Sequence, residues 1–142
     1  MTTSQTISMC KQDEYLMKSM RKFRFNKSQQ RATLIVKIEN FNTICVDDEF
    51  YNNEPIEEIM ENLNENEPRF IVHSFELVHN DGRKSYPIIL IYYSPVCCNT
   101  NLIMVYTSCI QEFSHTYDLH KTFNTHELDE IDEQYLINQL IK

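Results

Sequence analysis

The residue types that most often carry chemistry are present in this chain but are not spaced for it. His115, His120 and His126, together with Asp118, could be drawn as a metal site. The histidines are five and six positions apart, which matches no common ligand spacing, and they would straddle a helix, a loop and a strand. The single glycine excludes the glycine-rich loops that bind phosphates and dinucleotides. We therefore expect no metal site and no cofactor.

The cysteines give equally little support for catalysis. No two of them form a C-x-x-C pair, which argues against zinc-ribbon and redox motifs. A cysteine–histidine nucleophile has no local pattern behind it, and the acidic run Asp47-Asp48-Glu49 fits a strand end better than a cation site. The sequence thus predicts a protein without enzymatic activity, with a small cysteine or histidine enzyme as an alternative. We expect free thiols in a reducing compartment at Cys10, Cys45, Cys97, Cys98 and Cys109.

Charge is distributed unevenly along the 142 residues. The net charge is −8, yet residues 1–37 carry eight bases and two acids, whereas residues 38–67 carry ten acids and no base. A basic segment on an acidic body can steer a charged protein partner, whereas nucleic acid would be repelled by most of the chain. The longest apolar run, Ile88 to Tyr93, is far shorter than the ~20 residues of a membrane helix. With no apolar signal core near Met1, we expect a soluble intracellular protein with no membrane insertion.

The elements that must position any site are organised around Pro68 to Pro95. Two runs rich in β-branched and aromatic residues flank the turn Asn80-Asp81-Gly82, whose glycine suits a tight hairpin. The second run is almost continuously apolar, which indicates a strand covered on both faces. This pattern predicts three layers, with a sheet between helices. Pro87 is expected to lie at the start of the second strand.

The other elements follow from periodicity and turn signals. They predict one domain over residues 1–142, in which residues 1–8 form a flexible tail. The predicted strands are Ala32 to Glu39, Thr43 to Phe50 and Leu119 to Thr125. The predicted helices are Met9 to Phe25, Glu54 or Pro55 to Asn64, Asn99 to Tyr117, and Glu127 to Ile141, with Asp132 as an alternative start of the last helix.

The helix predicted from Asn99 to Tyr117 has one apolar and one polar face at 100° per residue. An exposed methionine among small and amide side chains is a reasonable anchor for a protein partner, and Met104 lies on the polar face. The inward positions include Leu102, Cys109, Ile110, Phe113, Tyr117 and, from the last helix, Leu128, Ile131, Tyr135, Leu136 and Leu140. The outward positions are Asn101, Met104, Ser108, Gln111 and His115.

The first predicted helix ends in a basic cluster. Arg21, Lys22 and Arg24 complement the negative end of a helix dipole, which needs fewer cations than the five found between Lys18 and Lys27. The excess leaves open a second interpretation, in which these bases bind a partner.

Several short motifs resemble the actin-depolymerising-factor homology domain and, within that group, the glia maturation factors. They lie in register from about Met9 to Leu140. The motifs are Met20 to Phe25, Glu67 to Val72, Asp81 to Arg83, Ser85 to Pro87, Ser94 to Val96, and Met104 to Tyr106.

This resemblance implies an α+β domain with a central mixed sheet between helices, and no enzymatic activity. It implies binding to the actin-related protein 2/3 complex, dissociation of actin branches and suppression of branch nucleation. One implied surface engages an actin-related subunit and comprises Met9, Lys11, Asn101, Met104 and Ser108, to which the charge and helix patterns add Arg21, Lys22, Arg24 and Gln111. A second implied surface meets the first actin subunit of a daughter filament and comprises His79, Asn80, Asp81, Gly82 and Arg83.

One departure affects the first of these surfaces. Members of this family usually carry lysines after the tyrosine of the long helix, whereas this chain has no lysine or arginine between Tyr106 and Lys121. Electrostatic attraction from the helix is therefore reduced, and the basic run from Lys18 to Lys27 could compensate. A cofilin-like module that binds actin monomers or filaments directly is the alternative. We expect a cytoplasmic monomer at the actin cytoskeleton and cell cortex, with the nucleus as a second location.

Overall fold

A six-stranded mixed sheet forms the centre of the computed structural model, which describes residues 11–26, 30–119 and 121–141. β-Branched and aromatic residues dominate its central strands, as the sequence predicts. A separate ribbon of two short strands completes the β-structure. The strands are β1 (Lys11–Gln12), β2 (Ala32–Glu39), β3 (Thr43–Phe50), β4 (Arg69–Ser74), β5 (Leu77–Val78), β6 (Lys84–Ser85), β7 (Ile88–Tyr93) and β8 (Lys121–Thr125).

The order of strands across the sheet is β1-β3-β2-β4-β7-β8. Each adjacent pair among the four central strands, β3-β2-β4-β7, is antiparallel. The two edge strands, β1 and β8, run parallel to β3 and β7. The predicted pairing of the two runs around the lone glycine is confirmed, because Ile71 on β4 is opposite Ile91 on β7. A mixed sheet of this kind is what the predicted fold class requires.

The helices lie in two layers, one on each face of the sheet. They are α1 (Glu14–Arg24), α2 (Ile56–Glu61), α3 (Thr100–Thr116) and α4 (Glu133–Ile141). Leu16, Phe23 and Phe113 of α1 and α3 pack with Phe70 and Leu90 in one core. The second core, on the other face, joins α2 and α4 to the alternate residues of the same strands. The prediction that the second run is covered on both faces is confirmed, because apolar residues of β7 enter both cores.

Three predicted elements are wrong at one end, including the second helix, which ends at Glu61 instead of Asn64. The first helix begins at Glu14 instead of Met9, because Asp13 caps it and the preceding two residues pair with β3. Met9 and the tail of residues 1–8 lie outside the described residues. The last strand begins at Lys121 instead of Leu119. The last helix takes the later of its two predicted starts, since Asp132 Oδ1 accepts a hydrogen bond from the Tyr135 N–H at 2.8 Å.

Two side chains depart from their expected environments. Tyr135 of α4 was expected inward but is 41% exposed, although its ring contacts the edge of Phe123. Cys109 is disulfide-bonded, which corrects the expectation of a free thiol there. Cys45, Cys97 and Cys98 are free thiols, as expected. Among the described helices, none has the length and hydropathy needed to cross a membrane.

Candidate partner-binding surfaces

Both ends of α3 are fixed by local hydrogen bonds. At its start, the Asn99 carboxamide oxygen accepts from the N–H groups of Asn101 and Leu102 at 2.8 and 3.2 Å. At its end, the Leu119 N–H bonds to the Ser114 carbonyl, and Asp118 takes a φ of 51°. This is the Schellman arrangement, with aspartate in the left-handed position that glycine usually fills. The caps explain why the predicted bounds of this helix are correct to within one residue.

The inner face of α3 is held against the sheet by aromatic side chains. Tyr106 and Phe113 lie 5.3 and 5.4 Å from Phe70 between ring centroids. The Tyr106 hydroxyl also accepts a hydrogen bond from the Ile38 N–H at 2.9 Å. A buried tyrosine that satisfies a strand N–H fixes the rotation of the helix about its axis. The opposite face is therefore presented in a defined orientation.

That opposite face is exposed over the length of the helix. Met104 is 63% exposed, and the side chains of Asn101, Ser108 and Gln111 are also exposed. The Ser108 hydroxyl donates a hydrogen bond to the Val105 carbonyl of the same helix at 2.8 Å. These four residues, and the exposed His115, are the five outward positions that the sequence predicted. We call the first four the α3 face.

The basic residues of the first predicted surface lie on β1 and α1. Lys11 is exposed in β1, opposite Thr43. The Lys22 amine lies 5.0 Å from the centre of the Tyr51 ring, toward β3. Arg24 points the other way, and its guanidinium donates to the Tyr117 carbonyl at 2.6 Å and pairs with Asp118 at 3.4 Å. Arg24 therefore joins the C-terminal ends of α1 and α3, a contact that sequence analysis missed.

A cleft of about 330 Å³ lies between those helix ends, and sequence analysis missed it too. The stripe of Met17, Arg21 and Phe25, spaced by four residues along α1, lines one wall. That i, i+4, i+8 spacing is the signal that could have found it. Met17 is 46% and Phe25 70% exposed, an unusual exposure for two large apolar side chains. We call this cleft the α1–α3 groove; its other walls are formed by Met20, Phe23, Arg24, Ile88, Thr116, Tyr117, Asp118 and Leu119.

The second predicted surface forms the tip of the β5–β6 ribbon. The Gly82 N–H donates to the His79 carbonyl at 2.9 Å, and Gly82 has a φ of 91°. Asp81 accepts from both the N–H and the guanidinium of Arg83 at 3.1 and 2.9 Å. These bonds lower the pKa of the Asp81 carboxyl, the backbone N–H having the largest effect. The predicted turn is confirmed, and its five residues lie together.

The ribbon corrects one feature of the predicted hairpin. β4 and β7 do not continue into the turn, because the main sheet pairing stops at Ser74 and Ile88. The ribbon is a separate sheet, and the Tyr86 hydroxyl contacts Glu76 at its base, at 3.0 Å. Pro87 precedes β7, as predicted. Since proline has no N–H to donate, its position suits the break between the two sheets.

The described residues contain no cluster of three or more metal-ligating side chains. His120, one of the histidines that could be drawn into a metal site, lies outside the described residues. Burial raises the pKa of the Cys45 thiol to about 11, which keeps it protonated and unreactive. The residues of the two predicted surfaces, apart from Met9, are located in the described part of the chain.

Comparison with known proteins gives concordant results. The family described as Cofilin/tropomyosin-type actin-binding protein matches residues 9–141. Glia maturation factor beta of Mus musculus is 34% identical over 137 residues, covering 96% of each chain. Glia maturation factor of Drosophila melanogaster is 31% identical over 128 residues, covering 90% of this chain and 93% of its own. The solution structure of glia maturation factor from Caenorhabditis elegans superposes with a TM-score of 0.81 at 31% identity, covering 98% of this chain and 99% of the other.

Proposed function

This chain belongs to the Cofilin/tropomyosin-type actin-binding protein family, and within it to the glia maturation factors. From that membership we propose that it binds the actin-related protein 2/3 complex, promotes filament debranching and inhibits branch nucleation, without catalysis. Its partner-binding residues on the first surface are Met9, Lys11, Arg21, Lys22, Arg24, Asn101, Met104, Ser108 and Gln111.

The observation that carries this proposal is the exposure of Met104 on a helix that is otherwise well packed. An unbranched thioether at 63% exposure, flanked by small and amide side chains, can fit an apolar recess on a partner. The rigid inner face of α3 lowers the entropy lost when the helix docks. An actin-related subunit of the complex is the proposed partner for this face.

The ribbon tip, His79 to Arg83, supplies the second contact, with the first actin subunit of the daughter filament. Its turn is held by the Asp81–Arg83 bonds, so that it can contact a partner without first becoming ordered. Engaging both the complex and the daughter filament at a branch junction provides a route to debranching.

The first test replaces Met104 with glutamate. A carboxylate forced into an apolar contact costs at least ~1.4 kcal/mol, so the Kd for the purified actin-related protein 2/3 complex should rise roughly tenfold or more. Met104→Leu should stay within about threefold of wild type, because it retains the apolar volume. Binding is measured by titration of labelled complex.

The matched control is Asn138→Glu, which adds the same charge on exposed α4 in the opposite helix layer. It should bind as wild type does, and all three variants should have Tm values close to wild type. An unchanged affinity for Met104→Glu would remove the α3 face from the proposal.

The alternative function is direct, cofilin-like binding of actin monomers or filaments. Cosedimentation with filaments in the absence of the complex separates the two: stoichiometric pelleting favours the cofilin-like activity, and a protein left in the supernatant favours the proposed one. We further propose that the protein is a cytoplasmic monomer at the actin cytoskeleton and cell cortex, with the nucleus as a second location. Sedimentation and imaging of a tagged chain test these assignments.

A further inference from the structure

The α1–α3 groove combines an apolar floor with a basic wall. Met20, Phe23 and Leu119 form buried parts of its lining, and the side chains of Met17 and Phe25 are exposed at the wall. Its volume of about 330 Å³ is at the lower end of the range for clefts that take small ligands, about 300 to 1,000 Å³. Such a cleft has room for one large apolar side chain of a partner.

The charge beside this groove is mainly positive, because Arg21 and Arg24 lie in its lining with the single acid Asp118. Helix α1 carries Lys18, Arg21, Lys22 and Arg24 against the single acid Glu14. Arg24 is engaged by Asp118, whereas Arg21 makes no ion pair with any acidic residue in the described part of the chain. An exposed guanidinium at the edge of an apolar cleft favours a partner that supplies a carboxylate next to an apolar group.

We propose that the α1–α3 groove binds an acidic peptide segment of a protein partner, with one aromatic or long aliphatic side chain inserted and a carboxylate on Arg21. The inference deepens the proposed function, because Arg21 and Arg24 already belong to its first surface. It adds the groove as a further site beside that surface. Lys22 does not line the groove, because its amine lies toward Tyr51.

A second copy of the chain does not supply this occupant through its acidic helix α2. Its acidic segment, residues 38–67, contains the helix α2, whose apolar residues Ile56, Ile59 and Met60 are buried. The carboxylates of that helix are therefore not accompanied by a free apolar anchor. The proposed occupant is a segment of another protein.

The probe is a short fluorescein-labelled peptide of aspartate and glutamate around one central phenylalanine, titrated by fluorescence anisotropy. Wild-type protein should bind it with a micromolar Kd. Arg21→Glu should weaken binding roughly tenfold, since it replaces an attraction by a repulsion. Thr116→Trp, which fills the groove from an exposed rim position, should weaken it by a similar factor.

Lys18→Glu is the matched control, because it makes the same charge reversal at an exposed position of the same helix, outside the groove lining and outside the proposed partner-binding residues. It should weaken binding less than about threefold, and a peptide with alanine in place of phenylalanine should bind roughly tenfold more weakly. Equal effects of Arg21→Glu and Lys18→Glu, with no loss for the alanine peptide, would overturn the groove as the site. Binding to phosphatidylserine vesicles but not to the peptide would also overturn it.

Met104→Glu separates this inference from the proposed function. It should leave peptide affinity unchanged, because Met104 does not line the groove. Failure of Met104→Glu to weaken binding to the actin-related protein 2/3 complex would contradict the proposed α3 face alone. Failure of the groove variants to weaken peptide binding would contradict the groove alone.

Discussion

At the scale of single residues, folding lowers the pKa of His73. Its side chain is fully buried in β4, with Nδ1 at 2.7 Å from the Thr33 hydroxyl and the ring stacked on Phe75. Nε2 has no hydrogen-bond partner among the residues that the structure describes. Burial lowers the pKa of His73 from 6.5 to about 4, because the charged ring would lack solvation. Sequence analysis gave His73 no role, since a histidine in a strand has no pattern that reveals its burial.

This pKa predicts how His73 contributes to stability as pH falls. The unfolded chain takes up a proton near pH 6.5 and the folded chain only near pH 4, so the free energy of unfolding decreases between these values. The contribution lost is at most about 3 kcal/mol, from 1.36 kcal/mol per pKa unit. His73→Gln is expected to be less stable than wild type at pH 7, and the gap should narrow as the pH falls toward 4.5.

Urea unfolding of both proteins across that pH range measures the gap. The control is Asn138→Gln, because this exposed substitution adds and removes no titratable group and should leave a gap that does not change with pH. Other carboxylates titrate in the same window in every variant and cancel in the comparison. A constant gap for His73→Gln would contradict the assignment of this pH dependence to His73.

At the scale of elements, prediction succeeded where the pattern is long and failed where pairing is non-local. Helix α3 was predicted to within one residue at each end because it has many periodic positions and a capping asparagine. Strands β2 and β3 were predicted without error. The start of α1 was wrong because Met9 continues the helical spacing, whereas the pairing of Lys11 with Thr43 depends on a strand distant in sequence. The α1–α3 groove depends in the same way on two helices meeting.

The backbone of the turn between β2 and β3 is strained, which the sequence analysis did not predict. Asn40 and Phe41 have φ values of 52° and 62°, and the Asn42 N–H donates to the Glu39 carbonyl at 3.0 Å. Two successive left-handed residues make a type I′ turn, which favours asparagine followed by glycine. The asparagine is present, but a 53% exposed phenylalanine occupies the second position. A bulky residue is disfavoured there because its Cβ crowds the following carbonyl oxygen.

Phe41→Gly is therefore expected to stabilise the protein by about 1 kcal/mol, because glycine has no Cβ to crowd the backbone. Phe41→Ala is the matched control: it removes the ring but keeps the Cβ, so it should be no more stable than wild type. The urea midpoint at an unchanged m-value reports the difference. Equal midpoints for the glycine and alanine variants would show that backbone strain at Phe41 does not limit stability.

At the scale of the whole molecule, Met104 and the ribbon tip lie toward opposite ends of α3, whereas Arg24 of the first predicted surface lies at the same end as the ribbon. The ribbon leaves the sheet where β7 begins, and Tyr86 at its base shares a cavity wall with Asp118 at the end of α3. Met104 lies 14 residues before Asp118, which is about 20 Å at 1.5 Å per residue. The charge asymmetry seen in the sequence adds a basic α1 beside the C-terminal end of α3. Met104 is therefore well separated along α3 from the base of the ribbon.

This separation leads to a prediction about two activities. Asn80→Glu changes the ribbon tip without removing the Asp81–Arg83 bonds that hold the turn, because those bonds do not involve the Asn80 side chain. It should leave the Kd for the actin-related protein 2/3 complex within about twofold of wild type and lengthen the lifetime of actin branches.

Met104→Glu should weaken binding and debranching together. The double variant should have the Kd of Met104→Glu alone, because effects at sites more than about 10 Å apart are independent. Titration of the complex and real-time imaging of branched filaments measure the two activities, and a loss of affinity in Asn80→Glu equal to that in Met104→Glu would show that the ribbon tip and the α3 face form one binding site.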